Sequence, residues 1–175
     1  MKKVKFENVK PALVLGIICL VVAALLAGVN LLTKDVIEKV SYERKMASLS
    51  DVLPGGNFEE ITPTGENETV KAVYIDTNSG VYVMLMSTKS KFTSSGQSLD
   101  ATVAIGSDGK IQNVKVTSYA ETKNFGDYYK QFVGMDKTDA EGADLCAGIT
   151  FSSTAFRSMM KDAAAEAETL GGAMK

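Results

Sequence analysis

Ala101-Thr-Val-Ala-Ile105-Gly-Ser-Asp-Gly109-Lys-Ile111-Gln-Asn-Val114-Lys-Val116 reads as two strands around a tight turn. Ala101–Ile105 and Ile111–Val116 flank Ser107-Asp108-Gly109, a composition suited to the positive φ that a hairpin turn demands. Val103, Ile105, Ile111, Val114 and Val116 supply an apolar face. Upstream, Val70–Asp76 and Val81–Ser87 carry the same strand signal on either side of Thr77-Asn-Ser-Gly80. Four strands in hairpin succession predict an antiparallel sheet that closes on itself or packs on helices. Residues 57–69, with Pro63 and Gly65, read as loop, as does the polar stretch Thr88–Gly96.

Beyond the sheet, Tyr119–Gly126 reads as a loop containing Glu121 and Thr122. Tyr128 and Phe132 share one face of a short helix, and residues 134–143 form a second polar loop. Asp144-Leu-Cys-Ala-Gly148-Ile-Thr150-Phe-Ser152-Ser153 follows: a short run ending in Gly148 that turns into a helix near Thr150. Its body spans roughly 152–169, with Gly171-Gly172 as the stop. The first N–H groups of a helix lack internal partners and face the positive end of the macrodipole, so this terminus can hold a phosphate without a basic side chain. The hydroxyls of Thr150, Ser152 and Ser153 fit that role and fit ordinary helix capping equally.

Toward the N-terminus, Pro11–Thr33 is 23 residues without a charge, long enough to span a bilayer. It is longer than the apolar region of a signal peptide, and Val22-Ala23-Ala24 lies inside the run rather than after it. Ile17 and Ile18 precede Cys19 where a lipoprotein would carry small residues. Lys2, Lys3, Lys5 and Lys10 precede the run, and the positive-inside bias then keeps residues 1–10 in the cytoplasm and the bulk of the chain outside. Asn30 is an interfacial residue or a contact to a neighbouring membrane helix. Residues 34–53 repeat Val36, Ile37, Val40, Met46, Leu49, Val52 and Leu53 at helical spacing, and Pro54-Gly55-Gly56 ends them.

Composition removes several chemistries. Among 175 residues there is no His, which excludes a Ser-His-Asp triad, a His-ligated zinc site and c-type haem attachment. Cys19 and Cys146 are too differently placed to predict a disulfide, so redox chemistry requires a bound cofactor. The net charge of −2, without a basic stripe, argues against nucleic acid. No metal site and no self-contained catalytic group is expected.

Three blocks resemble the FMN-binding domain family, and most closely the G component of the Rnf ion-translocating electron-transport complex, a cousin of the corresponding FMN-bearing component of the sodium-pumping NADH–quinone reductase. They are Asp108-Gly109-Lys-Ile111-x-x-Val114; Glu121-Thr122-Lys-Asn-Phe125-Gly126, similar to the family's Glu-Thr-Pro-Gly-Leu-Gly loop; and Asp144-x-x-Ala147-Gly148-Ile149-Thr150-x-Ser152-Ser153. The last is similar to Asp-x-x-Ser/Thr-Gly-Ala-Thr-x-Ser-Ser, whose Thr carries the flavin. Ala147 stands where the family has Ser or Thr, and Ile149 where it has Ala.

The resemblance implies FMN joined through its phosphate to Thr150 by a separate flavin transferase that draws on FAD. Gly148 would allow close approach, and Ser152, Ser153, Glu121 and Thr122 would lie around the cofactor. It also implies other membrane subunits as partners, in a complex coupling ferredoxin and NAD electron transfer to ion translocation. Glu121 reads equally as a solvated turn carboxylate. Tyr119, Phe125 and Phe151 are ring-stacking or core residues, and Cys146 is a small packed one. The expected architecture is α+β: a cytoplasmic tail (1–10), one N-terminal transmembrane helix (11–33), a juxtamembrane helix (34–56), then an extracytoplasmic FMN-binding domain (57–175) with a small antiparallel sheet packed with helices. Two other readings remain: a stand-alone anchored flavoprotein serving an external acceptor, and a non-redox anchored binding domain.

Overall fold

The computed structural model describes residues 6–89, 98–119 and 126–173. The chain divides into two compact units, residues 1–45 and 46–175. The first unit is helical. Its helix belongs to α1, which runs without interruption over Phe6–Val52 and so merges the expected anchor and connector into one element. Leu13, Leu20, Leu25, Leu26 and Leu32 are all exposed along it. It is long and apolar enough to cross a membrane, and its apolar window is unburied among the described residues. Side chains of this kind are stable in lipid and costly in water.

The second unit begins with the last turns of α1 and is built on a five-stranded antiparallel sheet in sequential order. The strands are β1 (Phe58–Ile61), β2 (Val70–Asp76), β3 (Tyr82–Lys89), β4 (Ser98–Ile105) and β5 (Ile111–Ser118). Four of them correspond to the four strand signals in the sequence, and the Gly106–Lys110 turn closes the expected hairpin with Gly109 at φ +77°. β1 falls within the stretch read as loop. Four residues are too short for a period-two signal, and pairing of Phe58 with Asp76 and Ile61 with Val73 makes the strand. A 3₁₀ turn, η1 (Tyr128–Phe132), follows the sheet.

α2 (Lys137–Gly142) is a further departure, lying in the expected polar loop. Asp136 caps it by accepting from the N–H groups of Thr138 and Asp139. The last helix, α3, spans Thr150–Ala173 and runs through Gly171-Gly172, the expected stop. Glycine in a helix costs only about 1 kcal/mol, and Leu170 is buried in the final turns.

Both sheet faces are covered. On one, Tyr82, Met84 and Met86 of β3 and Leu99, Ala101, Val103 and Ile105 of β4 meet Phe156, Met159, Met160, Ala163 and Ala167 of α3. On the other, Val81, Val83 and Ala104 meet Leu49 and Val52 at the end of α1. A register shift between Val70 and Ala72 lets Val70 and Val73 share a face although three positions apart. A second shift, where Ile105 pairs with Ile111 and Ala104 with Asn113, puts Ile111 and Val114 inward. Asn113 then donates from Nδ2 to the carbonyl of Val52 at 3.0 Å, satisfying one orphan acceptor at the end of α1.

Glu166 is fully buried on α3. Its carboxylate accepts from the Thr64 N–H and Oγ1, both at 2.6 Å, and from Asn67 Nδ2 at 3.0 Å, which latches the loop before β2. Burial pushes this carboxyl up, but the donors from Thr64 and Asn67 outweigh it and hold it below the ordinary value of 4.5. Replacing Glu166 with Ala is expected to lower stability by about 2–3 kcal/mol at neutral pH. A group with a depressed folded pKa stabilises fully above its unfolded value and loses that contribution as pH falls through the folded one. The stability gap between wild type and variant, read by thermal unfolding, should therefore be constant above pH 4.5 and narrow below it.

Candidate site at the start of helix α3

The register of α3 is fixed by its apolar stripe. Ile149, Phe156, Met160, Ala163, Ala167 and Leu170 recur at three- and four-residue steps and are all buried. Ser153 falls in the same stripe and has no exposed surface. Burying Phe156, Met159 and Met160 contributes about 1.5–3 kcal/mol each, against about 1–3 for an unpaired hydroxyl. The hydroxyl is also paired: Ser153 Oγ donates to the Thr150 carbonyl at 3.1 Å and accepts from the Cys146 N–H at 3.3 Å. Ser153 thus ties the loop to the helix. Ser152 is buried as well, whereas Thr150 and Phe151 face outward, Phe151 being 67% exposed.

The residue before the helix is an unusual cap. Ile149 accepts the first helical bond, from the Ser153 N–H at 2.9 Å, so it stands at the cap position. Its side chain lies in the core and carries no oxygen to cap the first N–H groups, as Ser, Thr, Asp or Asn would. The preceding turn is closed by the Ile149 N–H to the Cys146 carbonyl at 3.2 Å, with Gly148 at φ +87°. An exposed threonine at a helix start and a left-handed glycine thus stand two residues apart. The two departures from the family motif sit differently: Ala147 is exposed in the turn, while Ile149 is directed into the core.

Residues 143–149 lack regular structure, and side chains from neighbouring elements hold them. The single Tyr128 Oη–H is shared between the Asp144 carbonyl at 3.0 Å and the Ser153 carbonyl at 3.3 Å. Gln131 Nε2 reaches the Asp144 carbonyl at 3.3 Å, and Arg157 donates from a guanidinium nitrogen to the Ala143 carbonyl at 3.1 Å. The Tyr128 ring packs edge-on against Phe132 (5.6 Å between centroids) and Phe156 (6.1 Å). Burial raises its phenol pKa, which keeps the hydroxyl a donor across the physiological range. The shared face of Tyr128 and Phe132 was visible in their spacing; the hydrogen bonds of Tyr128, Gln131 and Arg157 carry no sequence signal.

Of the sequence-derived candidates, Gly148, Thr150, Ser152 and Ser153 come together here. Glu121 and Thr122 lie outside the described residues, as does Phe125. Tyr119 is 40% exposed just past β5, and Cys146 is a partly buried free thiol. Among the described residues no cluster of three acidic or Cys side chains could hold a metal ion.

Residues 1–52 match the family model for the RnfG N-terminal region, and residues 95–165 match that for the FMN-binding domain. No curated protein matches the chain.

A Cβ at position 148 would be forced into the left-handed region, at a cost of about 1–2 kcal/mol. Gly148→Ala is expected to lower the thermal midpoint modestly and to speed amide exchange at Ile149 and Ser153, measured by hydrogen–deuterium exchange.

Proposed function

The chain is an RnfG-like FMN-binding protein whose N-terminal helix fits a membrane anchor, and we propose that it is the covalent-flavin electron carrier of an Rnf-type complex, with FMN esterified through its phosphate to Thr150. The observation that carries this reading is the exposed Thr150 at the start of α3, beside the left-handed Gly148 and inside a matched FMN-binding domain. In attachment, Thr150 Oγ1 forms a bond to the flavin-side phosphorus of FAD. The pyrophosphate P–O bond breaks, AMP leaves, and the hydroxyl proton passes to a base of the transferase. Electron uptake and release are the chemistry of the flavin when bound.

The chain's own residues position and hold. The α3 start stabilises the remaining phosphate charge. Gly148 lets donor and transferase approach the backbone. Burial of Ile149 keeps its bulk away from the surface that Thr150 presents. Ser152 and Ser153 order the first turn, and the likeness of Glu121-Thr122 to the family's Glu-Thr loop assigns these two residues to the cofactor as well. Phe151 is an exposed aromatic next to the attachment point, suited to a ring face. Covalent carriage prevents loss of the flavin by dilution outside the cell. Electrons then pass to neighbouring membrane subunits, in a complex that couples ferredoxin and NAD oxidoreduction to ion translocation; a single span offers no ion path of its own.

The domain arrangement follows: residues 1–10 cytoplasmic, 11–33 in the membrane, 34–56 a juxtamembrane helix and 57–175 outside, supported by the four N-terminal lysines. Protease added to intact spheroplasts should remove the domain and leave the N-terminus protected; protection of the whole chain refutes this orientation. Protein from its own host should show an intact mass raised by one FMN less one water. Thr150→Ala should lose the addition, and Thr150→Ser should keep part of it. An unmodified wild-type chain overturns covalent attachment.

A further inference from the structure

We infer that Tyr128 is a positioning residue for flavin attachment: its hydroxyl sets the geometry in which the 143–149 loop presents Thr150. The inference rests on the reading of Thr150 as the attachment residue and names a side chain that the motif itself does not contain.

Asp144, Leu145, Ala147 and Gly148 are exposed and Cys146 is only partly buried against the core, so packing alone does not fix this backbone between the buried Ala143 and Ile149. Hydrogen bonds must fix it. Arg157, on α3, holds its beginning and Gln131 one carbonyl. Tyr128, which belongs to neither element, reaches the loop and the helix together through one hydroxyl proton shared between the carbonyls of Asp144 and Ser153. Its ring cannot shift freely, because Phe132 and Phe156 pack on it edge-on and on each other at 5.4 Å. The phenol is therefore a rigid strut between the loop and the first turn of α3. Ser153, whose carbonyl it reaches, also binds the loop through its own hydroxyl. The Asp144 and Ser153 carbonyls bracket the Gly148 turn and Thr150. A change in their separation moves the loop and its Gly148 turn relative to Thr150 at the start of α3, and such displacements cost reactions more than they cost folding.

Tyr128→Phe removes one oxygen and keeps the ring. The test uses full-length chain in detergent with FAD and the host's flavin transferase, following flavin incorporation by intact mass, with thermal midpoints measured in parallel. Expected is an incorporation rate lower by roughly 10–100-fold. The FAD concentration for half-saturation should be unchanged, and amide exchange at Cys146 and Ile149 should be faster. Val83→Ala is the control for instability, since Val83 is buried on the opposite sheet face, against the end of α1. It should lower the thermal midpoint at least as much and still be modified at the wild-type rate. A Tyr128→Phe chain modified as fast as wild type overturns the inference while leaving Thr150 as the attachment residue. So does a Val83→Ala chain slowed equally, which would make the effect one of stability. A wild-type chain that takes no flavin overturns the attachment reading, and this inference with it.

Discussion

Tyr82–Met86 of β3 puts apolar side chains on both faces of the sheet without a break, and neither face can be left in water. α3 covers one face, and the last turns of α1 cover the other. Much of the second unit follows from that requirement. The register shifts in β2 and β5 keep apolar residues on the α3 side although the sequence departs from strict alternation. The orphan carbonyl at the end of α1 finds Asn113 because the β5 shift turns that residue toward it. Glu166, carried inward by the helix period, is tolerated because three donors from the loop before β2 converge on it.

The same requirement sets the candidate site. Once Phe156, Met160 and Ala163 are placed against the sheet, every other position of α3 is fixed by the 100° step of the helix. Ile149 and Ser153 must point inward, and Thr150 must point out. The apolar residue at the cap then brings no side-chain oxygen to the first N–H groups. A chain selected only for helix stability would place Ser, Asp or Asn there, at a gain of about 1 kcal/mol. The missing cap oxygen is a local cost, set by the place of Ile149 in the core.

Local sequence was a good guide where one residue type has one use. Asp108-Gly109 and Ser79-Gly80 mark turns because few residues accept a positive φ, and both are turns with those glycines left-handed. The strands of β2 to β5 were legible for their alternation. β1 was not, because a four-residue edge strand exists only by virtue of the partner it pairs with. α2 was missed although Asp136 is a good cap, since six residues are too few for a period to register. α3 outran its predicted end because tertiary burial of Leu170 outweighs the weak preference against glycine.

The sequence by itself determined the uncharged 23-residue stretch, the absence of His-based chemistry, the antiparallel sheet and the threonine motif at a helix start, because each follows from residue type, spacing or charge along the chain. Tertiary structure alone decided that Ser153 spends its hydroxyl on the loop and that Ile149 fills core rather than surface. It also decided that Tyr128, Gln131 and Arg157, distant in sequence from one or both ends of the loop, hold it in place. The physical reason is that hydrogen bonds between a side chain and a remote carbonyl leave no period and no composition in the sequence. They exist only once packing has fixed where the two groups stand.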